Sequence, residues 1–101
     1  MKLVVAIVSE QIAAGLSEEL LKHGIRITSL TSAGGFLKQG NRTIISGVED
    51  EEAQLVLQII KEYTQKKKLQ KIQSEKADAK RIVEEGLATV FVIPVGEVRR
   101  Y

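Results

Sequence analysis

The chain has 101 residues, 44% of them hydrophobic but only 4% aromatic, and a formal net charge of +2. This length suits a single domain, 1–101, with an aliphatic core. The sequence contains no cysteine, which excludes a disulfide framework and a thiolate metal site. The apolar runs are too short to span a membrane, so we expect a cytoplasmic protein.

The first two predicted elements are a strand and a helix. The near-continuous apolar run Lys2–Ser9 is typical of a strand that is covered on both faces. From Glu10 to Gly24 the apolar residues recur every three or four positions, as at Leu16 and Leu20, which predicts an amphipathic helix. Gly24 is a stop signal for that helix.

A second strand and a glycine-rich segment follow. The strand runs from Ile25 to about Ser32 and places Arg26 and Thr28 on the same face. Residues 31–43 then contain three glycines within seven residues, the aromatic Phe36 and two cations. Accessible backbone N–H groups, positive charge and one ring suit a ligand with phosphates and a flat base. An ordinary hairpin loop is the alternative and the commoner use of such glycines.

Three further elements complete the predicted order. Thr43–Val48 is a third strand, and Asp50 in the acidic run 49–52 caps a second helix. The apolar face of this helix carries Ala53, Val56, Leu57, Ile60 and Tyr63. Leu87–Val95 is the last strand. The resulting βαββαβ order is that of the α+β, ferredoxin-like fold.

Residues 64–86 form a helix-prone insertion before the last strand. They could prolong the second helix, form a third helix, or become ordered only when a partner binds. Residues 61–85 hold eight Lys or Arg against five Asp or Glu, so the basic excess is local. Lys66–Lys68 could contact nucleic acid or an acidic partner, but no aromatic residue is interleaved, which favours a solvated helix face.

The sequence offers no constellation for enzyme chemistry. His23 is the only histidine, and it lies at the end of the first predicted helix, where a cation is mildly stabilising. The acidic run 49–52 is explained more simply as a helix start than as a metal site. Serines are scattered and no nucleophile lies beside a base, so we predict no catalytic residue, no metal and no cofactor.

Several short motifs nevertheless resemble the PII-like cyclic-di-AMP receptor family in order and spacing. They are Ala6-Ile-Val8, Arg26-x-Thr28, Gly34-Gly-Phe-Leu37, Gly40-Asn41, Ser46-Gly-Val48, Ala88-Thr-Val-Phe-Val92 and Pro94-Val95. The resemblance covers residues 1–50 and resumes at 86–95. It implies a PII-like subunit that forms a homotrimer, binds a cyclic dinucleotide between subunits, and signals to an unknown downstream protein by a change in loop conformation.

The resemblance also implies a set of ligand-binding residues. These are Arg26, Thr28, Gly35, Phe36, Leu37, Asn41, Gly47 and Phe91. Arg26 would supply a cation and Thr28 a hydroxyl, while the segment 35–37 would supply backbone N–H groups and a ring. Asn41 would read an adenine edge. Gly47 would let a base lie close to its strand, and Phe91 would line the cleft from the other side.

The chain departs from the family pattern at three places. Gly24 stands where the family often has Asn, and the 64–86 segment is lysine-rich instead of rich in Gly and Pro. The family is also expected to have a glutamine near Arg100, and the end of this chain, residues 97–101, has none. Two alternatives therefore stay open. One is a PII-like trimer that senses a different nucleotide or small anion, and the other is an adaptor that acts through the lysine-rich segment.

Overall fold

The computed structural model describes residues 1–31, 40–75 and 86–101, and for Thr31 and residues 71–75 it describes the backbone alone. The elements in chain order are β1 (Lys2–Ser9), α1 (Glu10–Lys22), β2 (Thr28–Thr31), β3 (Asn41–Val48), α2 (Asp50–Glu75) and β4 (Ala88–Pro94). The strands form one antiparallel sheet in the order β2-β3-β1-β4. The predicted ferredoxin-like fold is confirmed.

The hydrophobic core lies between the sheet and the two helices. Along β1 every second residue is buried, namely Val4, Ala6 and Val8. They belong to one apolar cluster with Leu16 and Leu20 of α1 and with side chains of α2. Because both helices cover the same side of the sheet, the alternate residues of every strand face away from them.

The turn after α1 determines where β2 begins. Gly24 has a φ of +76°, and the N–H groups of Gly24 and Ile25 donate to the carbonyls of Leu21 and Leu20. This is a Schellman ending, and it uses the N–H of Ile25 that a strand would need. The second strand therefore begins at Thr28, three residues later than predicted, while β3 begins at Asn41, two residues earlier than predicted.

The start and the length of α2 refine two further predictions. Glu49, not Asp50, occupies the cap position, since its carbonyl accepts from the N–H of Ala53 and its own N–H donates to the Glu52 carboxylate. The helix has 26 residues and is about 39 Å long. Of the three alternatives for the insertion, its first part, through Glu75, prolongs the second helix. Residues 76–85 lie outside the described residues.

The two helices approach each other closely at one glycine. A Cβ atom built on Gly15 of α1 would lie beside the hydroxyl of Tyr63 on α2, closer than real side-chain atoms approach. Gly15 therefore lets the Tyr63 side chain reach the surface of α1. The Lys67 side chain lies over the Tyr63 ring, with its Nζ 5.5 Å from the ring centre, in a cation–π contact.

Candidate functional site

The sheet face that carries no helix is the candidate ligand surface, and we call it the open face. Directly paired residues of antiparallel strands point to the same side, so the register assigns each residue to a face. One row across the open face consists of Thr28, Ile45, Val5 and Phe91. Asn41 and Gly47 lie an even number of residues from Ile45 and share its face. The open face thus carries every predicted strand residue of the site that the structure describes.

Arg26, Thr28 and Gly47 lie close together at one end of this face. Arg26 lies two residues before Thr28, the first residue of β2, and both residues are exposed. The hydroxyl of Ser46 donates to the carbonyl of Arg26 at 2.6 Å, which fixes this backbone beside β3. A guanidinium and a hydroxyl next to each other can hold a phosphate group.

Gly47 is not required by the fold of the single chain. It is exposed, its φ lies outside the left-handed region, and a Cβ atom at this position would meet nothing within 4 Å. An alanine would therefore fit here without strain. The space above Gly47 is available to a flat group that lies against the strand.

The remaining described site residues lie far from this cluster. Asn41 is six residues from Gly47 along β3, which corresponds to about 20 Å. Phe91 lies on β4, which is three strand spacings, or about 14 Å, from Thr28 on β2 and two spacings, or about 10 Å, from the strand of Gly47. Within one chain the predicted residues share a face but do not converge on one pocket. Gly35, Phe36 and Leu37 lie outside the described residues.

The edge of the sheet next to Asn41 is held together by contacts between three segments. The Arg42 side chain donates to the Glu10 carboxylate at 2.6 Å, and the N–H of Glu10 donates to the carbonyl of Gly40 at 2.8 Å. The N–H of Ser9 donates to the carbonyl of Leu87 at 2.9 Å. We call these contacts the α1 junction, because they tie the residues at or just before the starts of β3 and β4 to Ser9 and Glu10, where β1 ends and α1 begins.

Two polar atoms beside this junction have no partner. In the part of the chain that the structure describes, they are the unpaired buried side-chain polar atoms: Nε of Arg42 and Oγ1 of Thr43. Buried polar groups are paired in the large majority of native structures. Sequence reasoning does not single out Thr43, since a threonine is an ordinary strand residue.

A separate groove lies on the opposite side of the molecule, between the helices. It has a volume of about 260 Å³ and is lined by Glu19, His23, Ile59, Glu62, Tyr63 and Lys66. None of the predicted site residues lines it. In it the Nδ1 atom of His23 lies 2.9 Å from the carbonyl of Glu19, within its own helix.

Metal binding and membrane insertion find no support in the described residues. No three side chains of His, Cys, Asp or Glu come together there as a metal ion would require. Neither of the described helices combines the length and the apolarity of a membrane span.

Comparison with known proteins identifies the family. The model of the cyclic-di-AMP receptor family matches residues 1–101. The chain belongs to the cyclic-di-AMP receptor family. This match confirms the PII-like resemblance, and membership supports a signalling protein that binds cyclic-di-AMP.

A solved structure resembles this cyclic-di-AMP receptor over nearly its whole length. It is the crystal structure of a functionally unknown protein from Pediococcus pentosaceus, with 30% sequence identity and a TM-score of 0.68. The match covers 99% of this chain and 96% of the other. The likeness supports the ferredoxin-like, PII-like fold of the receptor.

The structure gives a physical reason for one departure from the family pattern. Gly24 adopts a left-handed conformation that asparagine also tolerates. Replacing asparagine by glycine at such a position keeps the helix ending and removes one amide group. The receptor therefore retains the turn before Arg26 but offers no side chain from it.

Proposed function

We propose that this receptor is a homotrimeric, non-enzymatic signalling protein of the cytoplasm that binds cyclic-di-AMP in clefts between neighbouring subunits. Arg26 and Thr28 hold a phosphate group, and Gly47 admits a base close to β3. Asn41, Phe36 and Phe91 recognise or line the rest of the ligand. Ligand binding changes the conformation of the loops, and a downstream protein responds to that change.

The observation that carries this proposal is the arrangement of the predicted residues on the open face. They lie on one surface, yet about 20 Å separates Asn41 from Gly47 along β3. A ligand that contacts Arg26, Thr28 and Gly47 of one chain therefore meets Asn41 or Phe91 more readily from a second chain. A cleft between two subunits would explain why these residues share one face and yet lie too far apart to form one pocket within a single chain.

The apolar character of the open face supports assembly. Phe91 is 51% exposed, and Leu30 and Ile93 are also exposed large hydrophobic residues on this face. Beside them Leu3, Val5 and Ile7 of β1 are only half-buried. Contiguous exposed apolar surface on a small protein marks an interaction site, and further copies of the chain would cover it.

A receptor for a different nucleotide is the second candidate. The observations that favour it are the loss of a side chain at position 24 and the extension of α2 through Glu75 by a lysine-rich sequence. The fold and the phosphate-binding pair Arg26 and Thr28 would serve either ligand. An adaptor that acts through the lysine-rich segment is the third reading.

Thermal unfolding with added nucleotides tests these readings. Cyclic-di-AMP, cyclic-di-GMP, ATP, ADP and AMP are compared at equal concentration, and sedimentation equilibrium gives the mass of the protein. We expect a trimer that is stabilised by cyclic-di-AMP, by about 2.7 kcal/mol at a hundred times the dissociation constant. Stabilisation by another nucleotide alone would support the second candidate. A monomer that responds to none would refute the proposal.

Two substitutions connect the response to the predicted site. Phe36→Ala and Asn41→Ala should each lower the affinity for cyclic-di-AMP while the mass and the unfolding cooperativity stay those of the wild type. Leu55→Ala on α2, an exposed residue outside the open face, is the control. If both variants bind as the wild type does, the ligand does not occupy this surface.

A further inference from the structure

Thr43 is buried without a hydrogen-bond partner on the open face. Its side chain is 6% exposed, and its Oγ1 atom has no partner. The register pairs it with Ile7 on β1 and with Leu30 on β2, so its cross-strand neighbours on both sides are apolar. Among the described residues, neither of the side chains directly opposite Thr43 offers its hydroxyl a hydrogen-bond partner.

Such a position is expected to hold valine unless the hydroxyl is used. Valine has the shape of threonine and suits a strand equally well, whereas an unpaired buried hydroxyl destabilises the folded state. Ser46, the other buried polar residue of β3, follows the usual rule, because its hydroxyl donates to the carbonyl of Arg26. Arg42 on the same strand also has an unpaired buried atom, Nε, but its guanidinium is already bound to the Glu10 carboxylate. Thr43 has a single polar side-chain atom and no such partner, which points to a partner from outside the single chain.

We propose that Thr43 is a further recognition residue of the nucleotide site, and this inference rests on the function proposed above. Its hydroxyl donates a hydrogen bond to an oxygen of the bound cyclic dinucleotide. Asn41 lies two residues away on the same face, about 7 Å along β3, so one ligand reaches both.

Access to the hydroxyl requires one neighbour to move. The oxygen is closed to solvent in the single chain. Leu30, directly across on β2, is 46% exposed, and we assign the movement to its side chain because it is the more exposed of the two paired neighbours. Ligand binding thus exchanges an apolar contact at Thr43 for a hydrogen bond to the nucleotide.

Two substitutions at this position separate the hydroxyl from the methyl group. Thr43→Val removes the hydroxyl and keeps the shape, and Thr43→Ser keeps the hydroxyl and removes the methyl group. Thr64→Val makes the same chemical change on α2, where the hydroxyl is already paired with the carbonyl of Ile60 at 2.9 Å. For each protein we would measure the unfolding midpoint without ligand and the affinity for cyclic-di-AMP by calorimetry.

The expected pattern has opposite signs for the two variants. Thr43→Val should raise the midpoint by a few degrees, because an unpaired buried hydroxyl is gone, and should weaken binding by about tenfold. Thr43→Ser should lower the midpoint and keep the affinity within about threefold of the wild type. Thr64→Val should leave the affinity unchanged and give no rise in the midpoint.

The outcomes distinguish this inference from the proposed function. If the wild type binds cyclic-di-AMP and the Thr43→Val protein binds it with the same affinity, the inference is overturned and the proposed function still stands. A lower midpoint for Thr43→Val would overturn it too, because the hydroxyl would then have a partner in the unliganded protein. If the wild type itself does not bind cyclic-di-AMP, the proposed function fails and the role of Thr43 in it fails as well.

Discussion

The two faces of the sheet differ in how far the single chain completes them. On the helix-covered face Val4, Ala6 and Val8 are buried, and Ser46 has a hydrogen-bond partner. Arg42 lies on this face too, where it is paired with Glu10 although its Nε atom is buried without a partner. On the open face Phe91 is half exposed and the Thr43 hydroxyl is buried but unpaired. The helices cover most of the apolar residues of the first face, whereas the second face has exposed apolar area and, among the described residues, a buried threonine whose hydroxyl has no partner.

This difference means that equal chemical changes on the two faces should alter different measurements. A truncation on the helix-covered face removes packing inside one subunit and lowers the free energy of unfolding. A truncation on the open face removes surface that the proposed neighbour or ligand would contact. Its effect should fall on assembly and binding.

The largest expected effect is that of Leu16→Ala on the helix-covered side. Leu16 is fully buried in the cluster between α1 and the sheet. Its truncation leaves a cavity and should lower the free energy of unfolding by about 2–5 kcal/mol. Urea unfolding measures this loss. Leu21→Ala, five residues farther along α1 at a 57% exposed position, is the matched control and should cost less than about 0.5 kcal/mol. Equal losses for the two leucines would contradict the assignment of this face as the core.

A comparison of two neighbours on β4 sharpens the contrast. Phe91 faces the open side, and Val90 packs against the core cluster. We expect Phe91→Ala to weaken subunit association by about 1.5–3 kcal/mol per subunit, the scale of burying an aromatic side chain. Val90→Ala should lower the unfolding free energy without dissociating the protein. Sedimentation velocity over a dilution series separates the two effects. A trimer that survives Phe91→Ala at every concentration would place the subunit contact elsewhere.

The fold could be predicted because its signals are local. The alternation in β1, the three-to-four spacing in α1 and the stop at Gly24 each follow from the period of the element that they specify. The errors lie at boundaries, where tertiary hydrogen bonds compete with strand pairing. Ile25 illustrates this, because its N–H closes the helix and so cannot begin the strand. No pattern in the sequence marks such a competition.

The site was less accessible to prediction, because its residues have no common local signature. Arg26 and Thr28 could be placed on one face by strand alternation, but Phe91 and Asn41 were assigned by family resemblance alone. The registers of the four strands are needed to place Asn41, Phe91 and Thr28 on the same open face. Thr43 was missed, since a threonine in a strand is unremarkable until its burial and its lack of a partner are known.

Gly47→Ala should stabilise the free protein and weaken ligand binding at the same time. A Cβ atom finds open space at this strand position, so the replacement should add about 0.5–1 kcal/mol to the free energy of unfolding. The same methyl group would occupy the space proposed for a base, and we expect a loss in affinity of about tenfold, or 1.4 kcal/mol. Calorimetry and urea unfolding measure the two quantities. Gly96→Ala, at another glycine with open space but outside the strands, should leave the affinity unchanged. If the Gly47→Ala protein binds cyclic-di-AMP as tightly as the wild type, the base does not lie against Gly47.

The smallest expected effect is that of Glu10→Gln at the α1 junction. The Glu10 and Arg42 side chains are 52% and 33% exposed, so their ion pair is well solvated and should contribute less than about 1 kcal/mol. The loss should shrink in 1 M salt, and urea unfolding at low and high salt measures it. Glu18→Gln, the same change on an exposed residue of α1, is the control. The junction includes Arg42, which faces the helices, and lies beside Asn41, which is on the open face. A loss that becomes larger when cyclic-di-AMP is bound would show that this edge belongs functionally to the open face, whereas an equal loss in both states would assign it to the scaffold.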